Sequence, residues 1–86
     1  GRDRFIRNVL IAAGNSNDSS LVAPCIALLR DAAPLVRGAA VWALSRLMDH
    51  SSLAKFATDD PDAEVSEEWR LALDLGLNGA ITGGRV

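Results

Sequence analysis

The residues with the clearest chemical potential in this sequence are arginines. Six of them lie among residues 1–50, whereas Lys55 is the only lysine of the chain. A planar guanidinium can bind phosphate through two parallel hydrogen bonds, so arginines near a helix start can position an RNA backbone. We therefore predict RNA-binding residues in the first half of the chain: Arg2, Arg4, Arg7, Asn8, Arg37 and Arg46.

Most of these residues also have a structural interpretation, which stays open at this point. Arg37 can pair with an acidic residue in a neighbouring inter-helix turn, for which Asp31 is the local candidate. Arg2 and Arg4 can belong to a solvated terminus. The asparagine at position 15 follows a glycine, which is typical of a helix end and requires no RNA contact.

The charge of the chain changes sign along its length. Residues 1–50 carry a net charge of +2 and residues 51–86 a net charge of −4. The acidic residues of 59–68 lack the ligand spacing and central glycine of a calcium loop, and they suit the positive N-terminal end of a helix. The second half therefore argues against a nucleic-acid surface along the whole chain.

No set of residues in the sequence predicts catalysis or metal binding. His50 is the only histidine and Cys25 the only cysteine, so neither a zinc pattern nor an iron–sulfur ligand set is present. We predict no catalytic residue, metal or cofactor for this chain. Trp42 and Trp69 can stack on bases, but their helical spacing among Ala and Leu favours core positions.

Composition also indicates the cellular compartment of the protein. A single cysteine fits a reducing environment, and no apolar run is long enough to cross a membrane, so we expect a cytoplasmic protein without a membrane segment. The chain begins at Gly1 rather than at a methionine, which we interpret as part of a longer protein.

An internal repeat sets the architecture. The segment 6–13 aligns with 36–43 and, less completely, with 65–72, which places the copies 30 and 29 residues apart. Periods of this size are typical of solenoids built from stacked helix pairs. We therefore predict an all-α solenoid fragment of about two to two and a half helix pairs.

Caps and prolines place the first helices. Asp18 is a good N-cap for the second helix, and Pro24 should kink that helix or delay its start. Pro34 then takes the first position of the third helix, where its missing N–H costs nothing.

The later boundaries follow the same logic. Ser51 or Ser52 is expected to cap a short helix, Pro61 to open the last helix, and Gly76 to close it. The predicted domain is 1–76, and the tail 77–86 is expected to be loosely held. The predicted helices cover 4–14, 19–30, 34–48, 51–57 and 61–75.

Two resemblances refine this prediction. The stretch Asp31-x-x-Pro34-x-Val36-Arg37-x-x-Ala40-x-x-Ala43-Leu44 resembles a HEAT-like repeat. Residues 1–49, with Arg7-Asn8, an apolar helix turn, Gly14-Asn15 and the run from Pro34 to Leu44, resemble the C-terminal HEAT-like region of epoxyqueuosine reductase.

The second resemblance implies a function. That family is a cytoplasmic, iron–sulfur and cobalamin-dependent oxidoreductase that completes queuosine in the anticodon loop of transfer RNA. Its catalytic and ferredoxin-like domains, with two 4Fe–4S clusters and cobalamin, precede the HEAT-like region. By this resemblance the chain is a non-catalytic accessory domain that helps to hold tRNA weakly and docks onto those domains.

A rival hypothesis is a protein–protein interaction scaffold with no nucleic-acid role. The two hypotheses differ in where the arginines lie. RNA binding requires several of them on one open face, whereas a scaffold expects them to be paired with Asp3, Asp31 and Asp49.

Overall fold

The structure is a computed structural model that describes the backbone of residues 1–85 and the side chains of residues 1–74. Within residues 1–85 it contains five α-helices, one 3₁₀ turn and no strand, which confirms the all-α prediction. The elements are α1 (Arg2–Asn15), the 3₁₀ turn (Ser19–Leu21), α2 (Val22–Leu28), α3 (Pro34–Leu47), α4 (His50–Ala54) and α5 (Ala63–Arg85).

The helices form two layers. The long helices α1, α3 and α5 lie side by side with α3 in the middle, and it packs against both of the others. The short helices form the second layer, in which α2 packs on α3 and α4 packs on α5. Two helix pairs and one preceding long helix are therefore present, as the repeat predicts.

The core lies where the layers meet. Val36 and Val65, which occupy the same repeat position, are both buried, and so are Leu10, Leu44 and Leu53. Burial of this apolar surface is the main term that stabilises the stack. Trp69 is 6% exposed and belongs to the core as predicted, whereas Trp42 is only partly buried against it.

The N-terminal boundaries agree with the capping signals. Asp18 accepts a hydrogen bond from the Ser20 backbone N–H at 3.0 Å and caps the 3₁₀ turn. Because α2 begins only at Val22, Pro24 lies in its first turn, where no intrahelical bond is lost. The expectation that Pro24 delays the helix is confirmed, and α2 ends at Leu28, before the predicted residue 30.

The later caps differ from the predictions. Pro34 is the first residue of α3, as expected. The prediction of a serine cap for α4 is wrong, because the Asp49 carboxylate accepts the Ser52 N–H at 3.0 Å. The prediction that Pro61 opens α5 is also wrong, since the helix begins at Ala63.

Asp62 explains the start of α5. Its Oδ1 accepts the backbone N–H groups of Glu64 at 2.9 Å and Val65 at 3.1 Å, which is the geometry of an N-cap. The helical backbone continues to Arg85, past the predicted end at Leu75. The prediction that Gly76 closes this helix is therefore wrong, and the tail 77–86 lies outside the residues whose side chains the structure describes. In the described part, none of the helices combines the length and apolarity needed to cross a membrane.

Candidate functional site

Arg37 lies in a network of hydrogen bonds at the turn before α5. Its Nε and Nη2 donate to the two carboxylate oxygens of Asp60 at 2.8 and 3.0 Å. Its Nη1 donates to the backbone carbonyls of Asp31 at 3.0 Å and Ala32 at 3.1 Å. The structural interpretation of Arg37 therefore describes its contacts, but the expected Asp31 carboxylate is the wrong partner, because Asp60 in the following turn holds the guanidinium.

Arg2 makes the matching contact one unit earlier. Its Nη2 donates to Asp31 Oδ1 at 2.6 Å, and its Nη1 donates to Asp3 at 2.8 Å. Asp31 and Asp60 are equivalent, since each also accepts the N–H of the residue two positions later. Each turn thus has an aspartate that holds an arginine of the preceding long helix, and these contacts keep the pKa of both carboxyl groups below the usual range.

Arg46 lies at the junction of α1 and α3. Its Nε donates to the Gly14 carbonyl at 3.3 Å, and its guanidinium carbon is 5.5 Å from the centroid of the Trp42 ring. This is the geometry of a cation–π contact. Arg46 therefore helps to join two helices, although its side chain remains exposed.

Three predicted residues lie on the exposed side of α1. Arg4, Arg7 and Asn8 are exposed, and among the described side chains none of them makes a side-chain hydrogen bond or an ion pair. Of the six predicted residues, Arg2, Arg37 and Arg46 are therefore bonded within the domain, whereas Arg4, Arg7 and Asn8 have no such bond among the described side chains.

A groove crosses the exposed side of the long-helix layer, and we call it the central groove. It has a volume of about 610 Å³ and is lined by residues of α1, α3 and α5. Its floor is the surface of α3 at Leu35, Gly38, Ala39 and Trp42. Because Gly38 has no side chain and Ala39 has only a methyl group, space remains over α3 between α1 and α5.

The two walls of the central groove carry opposite charge. Arg7 lies on the α1 wall, and Glu64, Glu67 and Glu68 lie on the α5 wall. Glu67 is paired with Arg70, which lowers its pKa. Partial burial, and then the neighbouring Glu67, raise the pKa of Glu68. Glu68 therefore lacks a compensating cation among the described side chains.

Sequence reasoning missed this groove and the glycine beside it. A Cβ added to Gly14 would lie 2.6 Å from Trp42 Cζ3 and 3.1 Å from Ala43 Cα, so this position in α1 must be a glycine for α3 to approach. The available signals were a glycine inside an apolar helix, and the pair Gly38-Ala39 one turn before a tryptophan.

The remaining polar candidates serve the fold. His50 Nε2 lies 2.8 Å from the Leu73 carbonyl, which ties α4 to α5. Cys25 is buried, and burial raises the pKa of its thiol. Across the residues that the structure describes, no three His, Cys, Asp or Glu side chains are arranged to hold a metal ion.

Comparison with known proteins gives a family match and a curated relative. A family model described as HEAT repeats matches residues 3–74. A protein of Geobacillus stearothermophilus, named as an uncharacterized protein in the gldA 3' region, is 33% identical over 72 residues. That alignment covers 79% of this chain but 33% of the relative, so the chain spans about a third of its length. No solved structure matches the chain.

Proposed function

Because the chain belongs to the HEAT repeat family, we propose that it is a non-catalytic, protein-binding module whose central groove takes a segment of a partner protein. The observation that carries this proposal is the groove itself, with an apolar floor between walls of opposite charge. A helical-repeat family does not specify a partner, so the chemistry of the groove must do so.

The floor of the groove favours a partner with apolar side chains. Leu35 is 42% exposed there, and Trp42 is partly buried beside it. An amphipathic helix that lays its apolar face into such a groove removes this surface from water. Aromatic residues in grooves commonly anchor such contacts.

The walls favour a partner with basic residues along one edge. Glu64 and Glu68 attract Lys or Arg side chains, and Glu68 is already partly desolvated. The same carboxylates repel phosphate groups, which opposes RNA lying along the groove. Arg7 on the other wall can pair with a carboxylate of the partner, which would fix the orientation of the segment.

The test uses a synthetic amphipathic helix of Leu and Lys as the probe. Its binding should change the fluorescence of Trp42 and weaken as salt increases. Glu68→Lys should weaken binding by about tenfold, because removing one interfacial charge pair is expected to cost about 1.4 kcal/mol, which is one decade in affinity. The matched control is Asp59→Lys, which makes the same charge reversal at an exposed position outside the groove.

Two results would count against the protein-binding proposal. One is equal affinity of the parent, Glu68→Lys and Asp59→Lys chains for the Leu/Lys helix. The other is equal binding of a Leu/Glu helix of the same length, because the acidic wall would then have no role.

A second candidate function rests on Arg4 and Arg7. Both are exposed on α1. Arg7 faces the carboxylates of α5 across the central groove, and Arg4 does not line that groove. In this proposal, which the resemblance to epoxyqueuosine reductase supports, the domain adds weak affinity for a tRNA anticodon stem–loop during queuosine biosynthesis. It would do so in a cytoplasmic parent oxidoreductase, docked on its N-terminal catalytic and ferredoxin-like domains.

The RNA candidate has its own test in the complete parent protein. Arg4→Ala combined with Arg7→Ala should weaken tRNA binding and flatten its salt dependence, by up to about one unit of log–log slope for each arginine that neutralises a phosphate. Lys55→Ala is the control and should leave RNA affinity unchanged. An unchanged salt slope in the double variant would reject this candidate and leave protein binding in place.

A further inference from the structure

We infer that the free side of α1 is a stacking surface for a further helical unit of the same polypeptide, N-terminal to α1. This side, which we call the open edge, lies opposite the α3 contact. The inference concerns a different surface from the central groove and goes beyond the proposed function.

The repeat shows what the open edge is built to do. In α3, the residues that face α1 include Trp42, Ala43 and Arg46, since Trp42 and Ala43 approach Gly14 and Arg46 donates to its carbonyl. Glu68 in α5 faces α3 in the same way, because it lies beside Gly38. Glu68 is the counterpart of Ala39, one turn before Trp42, so both helices use this side to pack on the long helix before them.

In α1 the same positions face α2 but no other long helix among the described residues. Thirty residues before Ala39, Trp42, Ala43 and Arg46 stand Val9, Ala12, Ala13 and Ser16. All four line an apolar groove of about 340 Å³ that continues onto α2 at Leu21, Pro24, Cys25 and Leu28. Val9 is 50% exposed, and Phe5, one turn earlier, is 69% exposed.

The opposite side of the stack has a different character. The positions of α5 that correspond to the α5-facing side of α3 include Glu67, Arg70 and Asp74. Arg70 donates to Glu67 at 2.9 Å and to Asp74 at 2.9 Å, so this described part of α5 presents self-paired charges, with Leu71 as its one exposed large apolar side chain. A polar outer face is what the terminal unit of a repeat stack requires for solubility.

The asymmetry between the two sides identifies the occupant. An apolar edge needs an apolar partner, and the charged outer side of α5 does not complement it, which opposes head-to-tail stacking of copies of this chain. A long helix with its short companion, arriving from the N-terminal side, continues the arrangement that α1 and α3 already show. The relative of which this chain covers 33% also contains sequence outside the matched region.

Thiol labelling tests this inference without depending on stability. Val9→Cys in a Cys25→Ala background is treated with a maleimide, both in the 86-residue chain and in the longer polypeptide that includes its natural N-terminal neighbour. Labelling should be about tenfold slower or more in the longer polypeptide, because it then requires local opening. The control is Leu35→Cys in the same background, which should label at similar rates in both.

Two outcomes would overturn the inference. Equal labelling rates of Val9→Cys in both polypeptides would show that the N-terminal neighbour does not cover the open edge. Protection of Val9→Cys in the 86-residue chain alone, increasing with its concentration, would show that a second copy is the occupant. Neither outcome depends on whether the central groove binds the Leu/Lys helix.

Discussion

Arg7 and Arg37 occupy the same position in successive repeat units, yet their surroundings differ. Arg37 donates to Asp60 in the following turn and to two backbone carbonyls, and its side chain is only 17% exposed. Arg7 is exposed, and the equivalent aspartate, Asp31, pairs with Arg2 instead. The arginine at this repeat position therefore forms a structural ion pair in one unit and remains an exposed charge in the other.

A second pair of equivalent positions shows the same contrast in packing. Leu44 in α3 is fully buried, whereas the position thirty residues earlier is Gly14. The glycine lets α3 come close, with Trp42 lying over it. At this repeat position a leucine side chain fills the space in the middle unit. In the first unit the lack of a side chain lets the two long helices come close.

The largest effect is expected at the middle unit. Leu44→Ala removes most of a buried side chain and should lower the free energy of unfolding by about 2–5 kcal/mol. Val9→Ala, at a position that is 50% exposed, should cost at most about 0.5 kcal/mol. Urea unfolding monitored by circular dichroism would measure both, and similar losses would contradict the difference between the units.

The two helical glycines provide the next comparison. Gly14→Ala places a methyl group 2.6 Å from the Trp42 ring and should destabilise the domain by about 1–3 kcal/mol. Gly38→Ala puts the same methyl group 3.7 Å from Glu68 Cγ, an ordinary van der Waals distance, and should stabilise the helix by up to about 1 kcal/mol. Thermal unfolding of the two variants should therefore shift in opposite directions.

The arginine pair is expected to give a smaller difference. Arg37→Ala leaves Asp60, whose side chain is 9% exposed, without its bidentate partner and should lower Tm by several degrees. Arg7→Ala should leave Tm almost unchanged, because among the described side chains it has no bonded partner. Arg37→Lys would sharpen the test, since a lysine cannot reproduce the forked geometry.

The smallest predicted effect is the pH dependence of the stability that the Arg37–Asp60 ion pair contributes. Arg37 holds the pKa of Asp60 below its usual range. A depressed folded-state pKa adds stability that is present above the unfolded value near 4 and is lost as pH falls. The gap in Tm between the parent chain and Asp60→Asn should therefore shrink as pH drops below about 4, and a constant gap would show that the carboxylate charge plays no part.

Local signals in the sequence predicted much of this fold. The repeat spacing indicated stacked helix pairs, and Asp18, Pro24 and Pro34 act as their chemistry predicts. The serines near α4 were misleading, because Asp49 caps the helix earlier in the chain and the hydroxyls of Ser51 and Ser52 donate to its carboxylate.

The candidate site was less predictable than the helices. Which aspartate pairs with Arg37 depends on how the turns stack, and no single stretch of sequence contains that information. The central groove likewise depends on three helices at once, so small residues at Gly38 and Ala39 reveal it only when the neighbouring walls are known.

The two arginine–aspartate ion pairs also determine how far local unfolding spreads through the stack of helices. Each one joins a long helix only to the next turn, so cooperativity in this chain is a series of nearest-neighbour couplings. The coupling at Arg2, whose side chain is 58% exposed, is screened by solvent, while that at Arg37 is sheltered. When α1 has no neighbour on its open edge, opening should start there and stop at α3, so that amide protons exchange fastest in α1 and slowest in the middle of the stack.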